Sequence, residues 1–200
     1  FDRWLAKIDA AELTALDTET TSLDSFAAHI VGISLSGTPG EACYIPLAHT
    51  APGVADQLPR DEVLEKLKPW LSKVNRKKVL QNAKYDQHVF ANHGIDLRGV
   101  QHDTLLQSYV LEAHKPHSLE SLADRHLGRK GLSYEELCGK GANQISFAQV
   151  DLERATRYSG EDSEMTLQVH QVLWPRIEAD AKLRYVYEQI EMPVSLILQR

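Results

Sequence analysis

Two carboxylates stand two residues apart at the end of an apolar stretch, as Asp17 and Glu19 in the string ALDTETTSL. The short apolar run before them predicts a buried β-strand. Side chains at i and i+2 of a strand point to the same face, so we expect the two carboxylates to lie side by side at the carboxyl end of the strand. Neighbouring anions repel, and burying them is costly unless a cation or proton compensates. The pair is therefore a candidate site for a divalent metal, which prefers oxygen ligands.

The spacing of this pair does not decide the matter by itself. The same spacing recurs at Asp151 and Glu153 and again at Asp162 and Glu164. The alternative is that Asp17 and Glu19 are simply solvated at the end of a strand. Other segments must decide between a metal site and a solvated strand end.

Two further stretches carry acids on predicted helices. Asp86 falls in the first turn of a helix over 83–92, where the helix dipole favours an anion, although a plain helix-start acid has the same pattern. Tyr158 and Asp162 are four residues apart on a long helix and share a face. Gly160 lies between them at a helical cost of about 1 kcal/mol, which is often tolerated where a backbone or ligand approaches closely. A core tyrosine followed by a surface aspartate is the simpler alternative.

Together these segments resemble the three motifs of the DEDD (DnaQ-like) 3′→5′ exonucleases, in their tyrosine subclass. The motifs are Asp17-x-Glu19, Asn82-x-x-x-Asp86 and Tyr158-x-x-x-Asp162, in that order. The strings LDTETTSLD, LQNAKYD, GKGANQISF and RYSGEDSEMTLQ are similar to the proofreading-domain family of bacterial DNA polymerase I. The resemblance covers nearly the whole chain, and its specificity comes from several spaced motifs that agree in order.

The resemblance implies an α/β protein of RNase H-like fold, with a mixed central sheet flanked by helices. It also implies two divalent ions, Mg²⁺ or Mn²⁺, with Zn²⁺ able to occupy one site. Asp17, Glu19 and Asp162 would hold the first ion, and Asp17 would bridge to the second with support from Asp86. Tyr158 would orient the attacking water with help from Glu19.

This arrangement suits hydrolysis of a phosphodiester. Two metals about 3.5–4 Å apart neutralise the anion, ionise a water near neutral pH and stabilise the leaving oxygen. A phenol with a pKa of about 10 is a poor base at pH 7, so Tyr158 would position the water while the metal activates it. The expected activity is a 3′→5′ exodeoxyribonuclease that releases 5′-mononucleotides from single-stranded or frayed DNA ends.

The resemblance also implies substrate contacts. Leu23 and Phe147 would pack against the terminal bases, and such apolar stacking tolerates every base. Mispaired ends fray at lower cost, which would direct excision to them. Ordinary core packing is the alternative for both residues. The backbone N–H of Thr20 would lie near the 3′ hydroxyl. Four further residues would touch the terminal nucleotide or its phosphates: Gln81, Asn82, Lys84 and Tyr85.

The elements that must position these residues follow from hydrophobic periodicity. We predict strands near 13–17, 29–36, 42–47, 78–80 and 100–102, and helices near 1–11, 60–72, 83–92, 104–112, 118–127, 151–181 and 185–200. Three strands in a meander followed by alternating strands and helices indicate a mixed sheet with helices on both sides. We expect an exonuclease domain over 1–182, and over 183–200 the start of a helix connecting to a polymerase domain in a longer protein.

The charge and hydropathy of the chain indicate which classes of function are expected. The chain has 28 acidic against 22 basic residues and a net charge of −6, which argues against long-footprint DNA wrapping. It lacks a signal-peptide pattern and any run of about 18 apolar residues, so we expect a cytoplasmic bacterial protein away from membranes. Cys43 and Cys138 are expected to be reduced thiols. The expected partners are a single-stranded DNA 3′ end and the linked polymerase domain, with the chain itself a monomer.

Two other signals favour surface features. His114 and His117 flank a helix-breaking proline without an evident third ligand, so a loop is favoured over zinc. The basic run at 76–78 is expected to be a solvated turn, with phosphate contact as the alternative.

Two rival functions stay open. An RNase D-like enzyme that trims RNA 3′ ends uses the same chemistry; the string EQIEMPVSLIL, similar to the junction with a polymerase, and the lack of a basic accessory domain favour DNA. A catalytically silent structural domain is the other rival, against which the presence of all four acids and the tyrosine argues.

Overall fold

The computed structural model describes residues 1–198, in which five strands form one sheet between two layers of helices. The strands are β1 Thr14–Thr20, β2 Ile30–Thr38, β3 Glu41–Pro46, β4 Lys78–Leu80 and β5 Val100–Asp103. The helices are α1 Asp2–Ala10, α2 Arg60–Leu71, α3 Ala83–Asn92, α4 Thr104–Glu112, α5 Leu119–Leu127, α6 Tyr134–Cys138, α7 Leu152–Glu178, α8 Ala181–Val186 and α9 Met192–Leu198. Single turns of 3₁₀-helix cover Gly141–Asn143 and Phe147–Gln149, and a π-helical turn covers Tyr187–Glu191.

The order of the strands is β3-β2-β1-β4-β5, which places β1 at the centre. β1 pairs antiparallel with β2, and β2 pairs antiparallel with β3, as short connections require. β1 is parallel to β4, and β4 to β5, because helices occupy the intervening connections. The predicted mixed sheet flanked by helices is confirmed, and it has the RNase H-like arrangement.

The central strand is buried on both faces. Leu16 packs into the main core with residues of the first three helices, among them Ile8, Leu67 and Val89. Its neighbour Ala15 faces the opposite side and packs with Leu167 of α7. This two-sided burial fixes β1 firmly, so the acids that follow Leu16 are carried on a rigid element.

The carboxyl-terminal segment differs from the single helix predicted over 185–200. The π-helical turn separates α8 from α9, while positions 199 and 200 lie outside the described residues. Tyr187, in that turn, is 1% exposed, and its hydroxyl accepts a hydrogen bond from the Asp103 backbone N–H at 2.9 Å. The segment beyond 182 is therefore tied to the end of β5 through Tyr187, and the division at 182/183 stays a prediction.

The prediction of a solvated turn at 76–78 is wrong for Lys78. This residue begins β4 and is fully buried, with its Nζ donating to the Trp70 carbonyl at 3.1 Å and the Arg76 carbonyl at 2.7 Å. The ammonium also lies 4.2 Å from the Trp70 ring centroid. Burial lowers the pKa of Lys78 to about 7. Carbonyl and aromatic partners replace water here, so Lys78 is not available to phosphate.

Within residues 1–198 no helix combines the length and apolar character that a membrane span requires. Cys43 and Cys138 are free thiols.

A cluster of charges joins three helices around Glu112, at the end of α4. Its carboxylate accepts hydrogen bonds from Lys115 at 2.9 Å and from Arg125 of α5 at 3.1 Å, and Arg176 of α7 lies 3.9 Å away. Hydrogen bonding by Lys115, with the nearby cations, lowers the pKa of Glu112 to about 2. Because the pKa of Glu112 is lower in the folded than in the unfolded state, the ionised carboxylate stabilises the fold at pH values above the unfolded-state pKa. This stabilisation disappears as the pH falls toward 2.

We therefore expect Glu112→Gln to lower the free energy of unfolding by about 1 kcal/mol at pH 7. The gap from wild type should close as pH falls from about 4.5 to about 2, where the wild-type carboxylate also becomes neutral. Urea unfolding across this range measures it. Glu65→Gln, which removes an exposed carboxylate 3.6 Å from Lys68, is the matched control and should show little effect. A gap of constant size down to pH 2 would contradict the assignment.

Candidate metal centre

Three carboxylates converge beside the central strand. One oxygen each from Asp17, Glu19 and Asp162 lies within 4.8 Å of the others. β1 supplies the first two, two residues apart and therefore on one face, and α7 supplies the third where it crosses β1, β2 and β3. The geometry that the spacing predicted for Asp17 and Glu19 is present, and a residue distant in sequence joins it.

The carboxylates stand in a partly desolvated environment. Burial raises the pKa of Asp17 to about 6. Burial and then the charges of Asp17 and Asp162 raise the pKa of Glu19 well above its usual range. Burial and then the charge of Asp17 likewise raise the pKa of Asp162 well above its usual range. Three such anions so close together repel each other strongly. All three donors are carboxylate oxygens, which fits hard divalent cations such as Mg²⁺ and Mn²⁺.

Asp86 lies beside this cluster but is anchored separately. It is 2% exposed in the first turn of α3, and its Oδ1 accepts hydrogen bonds from the Thr18 backbone N–H at 3.1 Å and the Thr18 hydroxyl at 2.6 Å. Burial, followed by the charge of Asp17, raises its pKa well above the usual range. The structure thus places Asp86 near Asp17, outside the group of three converging carboxylates.

The start of α3 is held by Asp103, which is also the N-cap of α4. Its carboxylate accepts a hydrogen bond from the Leu105 N–H at 2.9 Å. Its carboxylate also accepts from the backbone N–H groups of Asn82 at 3.0 Å and Ala83 at 2.8 Å. Asn82 adopts a left-handed conformation at φ 65°, the one positive φ among the non-glycine residues of the described chain. Asp103 therefore fixes the tight turn that aims α3, and with it Asp86.

Tyr158 lies one turn before Asp162 on α7 and lines the same cavity. Burial first, then the charges of Asp162 and Glu19, raises the pKa of Tyr158 far above its usual range, so its phenol is neutral. Among the described residues, the close approach of another backbone to Gly160 is not found. A Cβ there would meet the Ala42 Cβ at 3.8 Å, an ordinary van der Waals distance.

Two residues at the site were missed by the sequence reading. The Ser159 hydroxyl is fully buried and donates to Glu19 Oε1 at 2.6 Å, which fixes that carboxylate. Tyr134 of α6 lines the cavity and contacts the Tyr158 ring edge-on, with 6.5 Å between centroids. The position of Ser159 inside the Tyr158 motif is a signal that could have found it. Tyr134 lies in a short helix joined to the site only by tertiary packing, so the sequence carries no comparable signal.

A cavity of about 500 Å³ opens onto the carboxylates. Its further walls are the end of β1 with the loop after it, the ring of Tyr85, and residues of the 141–146 segment. The Tyr85 hydroxyl donates to the Ser22 carbonyl at 2.5 Å and contacts Thr20, which fastens the loop to α3. Of the predicted substrate contacts, Thr20, Leu23 and Tyr85 line this cavity, and Leu23 is 87% exposed at its mouth.

The remaining predicted contacts lie elsewhere. Asn82 and Lys84 line a separate cavity between α3, α4 and α9. The Gln81 amide is occupied, because its Nε2 donates to the His117 carbonyl at 2.9 Å and its Oε1 accepts from the Thr104 hydroxyl. These bonds give Gln81 a role in holding the turn before α3, and its contact with a nucleotide stays a prediction.

Phe147 lies in the core of the structure, and its contact with a terminal base stays a prediction. It is 1% exposed and belongs to a core cluster with Val31 and Ala155. Its ring centroid lies 6.0 Å from that of Tyr158. Because neighbouring apolar residues enclose the ring, Phe147 does not offer a face to a base in this conformation. Its ring packs near the ring of Tyr158 and helps to hold that side chain in place.

The chain is similar in sequence to a family of exonucleases and to bacterial DNA polymerases. A family model described as 3′-5′ exonuclease matches residues 1–178. The chain is 48% identical over its whole length to DNA polymerase I of Pseudomonas aeruginosa, of which it covers 22%. It is 40% identical over its whole length to DNA polymerase I of Rhizobium leguminosarum, of which it covers 21%. The chain thus spans about a fifth of the length of these relatives.

Solved structures share the fold at low sequence identity. The polymerase Pol1 of M. smegmatis, in complex with DNA primer-template and dNTP, superposes with a TM-score of 0.73 at 21% identity, over 98% of this chain and 29% of that one. RNase D of Escherichia coli superposes with a TM-score of 0.69 at 18% identity, over 99% of this chain and 48% of that one. Both similarities concern the fold.

Proposed function

Because this chain belongs to the 3′-5′ exonuclease family, we propose that it removes 5′-mononucleotides from single-stranded or frayed DNA 3′ ends with the help of two divalent ions. The observation that carries this proposal is the convergence of three carboxylates from β1 and α7 within 4.8 Å of one another. Such a set of hard oxygen donors is costly to maintain without a cation, and it opens directly onto a cavity of a size suited to a nucleotide.

Asp17, Glu19 and Asp162 would hold one Mg²⁺ or Mn²⁺ ion, and Asp17 would share the second with Asp86 nearby. When bound, the ions supply charge neutralisation of the phosphodiester and an ionised water at neutral pH. Ser159 donates to Oε1 of Glu19, which fixes the carboxylate that would help to hold the ion and to orient the water.

The remaining cavity residues act by orientation. Tyr158 stays protonated, so its hydroxyl serves as a hydrogen-bonding group that fixes the water rather than as a base. Leu23 at the mouth would wedge against the terminal base, and Tyr85 would form another wall of the cavity. The backbone N–H of Thr20 would lie toward the 3′ hydroxyl. Lys84, exposed on α3, would meet a phosphate farther along the strand.

The relatives suggest a larger setting for this domain. Both curated relatives carry the matching region within a DNA polymerase I of about five times its length. We therefore propose that residues 1–182 act as the proofreading domain of such a polymerase, and that 183–200 begin its connection to the polymerase domain. The domain by itself would act as a monomer.

The direct test is digestion of a 5′-labelled single-stranded DNA oligomer with Mg²⁺ and with EDTA. We expect stepwise shortening from the 3′ end and 5′-mononucleotide products with Mg²⁺ only. A matched RNA oligomer runs in parallel, and faster digestion of the RNA would favour the RNase D-like alternative. Intact DNA and RNA under both conditions would reject the enzyme and favour a silent structural domain.

The Tyr158→Phe substitution tests positioning. Removing the hydroxyl should lower kcat by up to about 10²-fold, the scale of losing one orienting contact. Because the phenol does not titrate below pH 10, the shape of the kcat profile between pH 6 and pH 9.5 should match wild type.

Tyr185→Phe, which alters an exposed tyrosine of α8, is the matched control and should keep the wild-type rate. If the wild-type profile has an alkaline limb that disappears in Tyr158→Phe, the phenol acts as a base and the positioning role is wrong.

A further inference from the structure

The loop between β1 and β2 displays an exposed aromatic ring three residues after Leu23. Phe26 is 74% exposed, and Leu23, three residues earlier, lines the cavity. Single exposed apolar residues are common on protein surfaces, so the exposure of Phe26 is not informative by itself. The support beneath Phe26 is what distinguishes it.

The loop that carries Phe26 is fastened from several sides. The Asn92 side-chain amide of α3 donates to the Ser25 carbonyl at 2.8 Å and to the Ala28 carbonyl at 3.0 Å. The backbone N–H of Phe26 donates to Asp24 Oδ1 at 3.0 Å. Backbone and side-chain bonds therefore hold the residue on both sides, and its ring is presented from an ordered loop at little cost in conformational entropy.

A second ring braces the first. The His88 imidazole lies 4.6 Å from the Phe26 ring, centroid to centroid, with an interplanar angle of 49°. His88 follows Tyr85 by three residues on α3, so both lie on one side of that helix, separated by a rise of about 4.5 Å. Tyr85 forms a wall of the cavity. His88 thus stands about one helical turn along α3 from Tyr85, which lines the site that would receive the 3′ nucleotide.

We propose that Phe26, braced by His88, is a stacking platform for a base of the single strand next to the terminal nucleotide on its 5′ side. This inference rests on the proposed exonuclease function. A chain with a net charge of −6 has little general attraction for phosphates, so base stacking is a grip that its surface can provide. Stacking on an aromatic face accepts any base, which is what an enzyme moving along a strand requires.

The test compares substrates of different length. For wild type and Phe26→Ala, kcat/KM is measured on a thymidine dinucleotide and on a hexanucleotide. The ratio of the hexanucleotide value to the dinucleotide value should fall about tenfold in Phe26→Ala, within the range for loss of one stacked base. Phe26→Trp should retain the ratio. Val74→Ala, which alters a residue 71% exposed after α2, is the matched control and should also retain it.

An unchanged ratio in Phe26→Ala would overturn the proposal, whereas cleavage of neither substrate by wild type would mean that the exonuclease function itself is wrong. A binding readout separates the two in EDTA, without catalysis. The tryptophan emission of Phe26→Trp should be quenched by the hexanucleotide far more than that of wild type, and thymidine monophosphate should have little effect. Equal quenching of both proteins would overturn the platform.

Discussion

Asp162→Asn should abolish Mg²⁺-dependent cleavage and at the same time stabilise the metal-free protein. Loss of one ligand from the carboxylate cluster removes several kcal/mol of transition-state stabilisation, so kcat should fall about 10³-fold or more. The substitution also removes one of three carboxylates whose oxygens lie within 4.8 Å of one another and repel each other when ionised. Each kcal/mol of repulsion relieved should raise the Tm measured in EDTA by about 2–4 °C.

The two effects have opposite signs, which makes the result diagnostic. Mg²⁺ should raise the Tm of wild type by mass action and leave that of Asp162→Asn nearly unchanged. Asp124→Asn, at an exposed position on α5, is the control that should alter neither activity nor the Mg²⁺ response. A lower Tm in EDTA for Asp162→Asn, with an intact Mg²⁺ response, would mean that Asp162 stabilises the fold and holds no metal.

Asp86 should be essential for the rate, and its two substitutions should differ in stability. Asp86→Asn keeps an oxygen that can accept the hydrogen bonds from Thr18, so it should fold with near-wild-type stability. Its kcat should fall at least about 10²-fold, since the lost charge would support the second ion. Asp86→Ala should lose activity equally and in addition lose about 1–3 kcal/mol of stability, because the buried Thr18 donors are left without a partner.

Single-turnover digestion and urea unfolding of the two variants measure these effects separately. Asp96→Asn, on an exposed carboxylate that pairs with Arg98, is the matched control. A wild-type rate in Asp86→Asn would remove Asp86 from the site. Equal stability of the Ala and Asn variants would show that the Thr18 contacts carry no stabilisation.

The elements with strong local signals could be predicted from the sequence. The limits of α3 and β4 match the prediction because the alternation of apolar residues and the turn before the helix are local features. The pairing of Asp17 with Glu19 follows from the two-residue period of a strand. Their meeting with Asp162, 143 positions after Glu19, could be expected only because the ordered motifs resemble a known family.

What the sequence could not supply depends on tertiary packing. The burial of Lys78 requires the Trp70 ring and carbonyls from a neighbouring turn, and no local pattern reports them. Phe147 lies in a polar stretch of the sequence, where an aromatic residue suggests surface stacking. In the structure it is buried in a core cluster, with its ring 6.0 Å from that of Tyr158. The interruption between α8 and α9 likewise accompanies the burial of Tyr187 on the sheet, which hydrophobic periodicity alone does not reveal.

Asp17, Glu19 and Asp162 are proposed to hold divalent ions together. The most direct test is a crystal soaked with Mn²⁺ and a nucleoside monophosphate, read from anomalous scattering. We expect one peak within bonding distance of all three carboxylates, and a second about 3.5–4 Å away that shares Asp17. Absence of manganese from this cluster, at a concentration that supports cleavage in solution, would contradict the account.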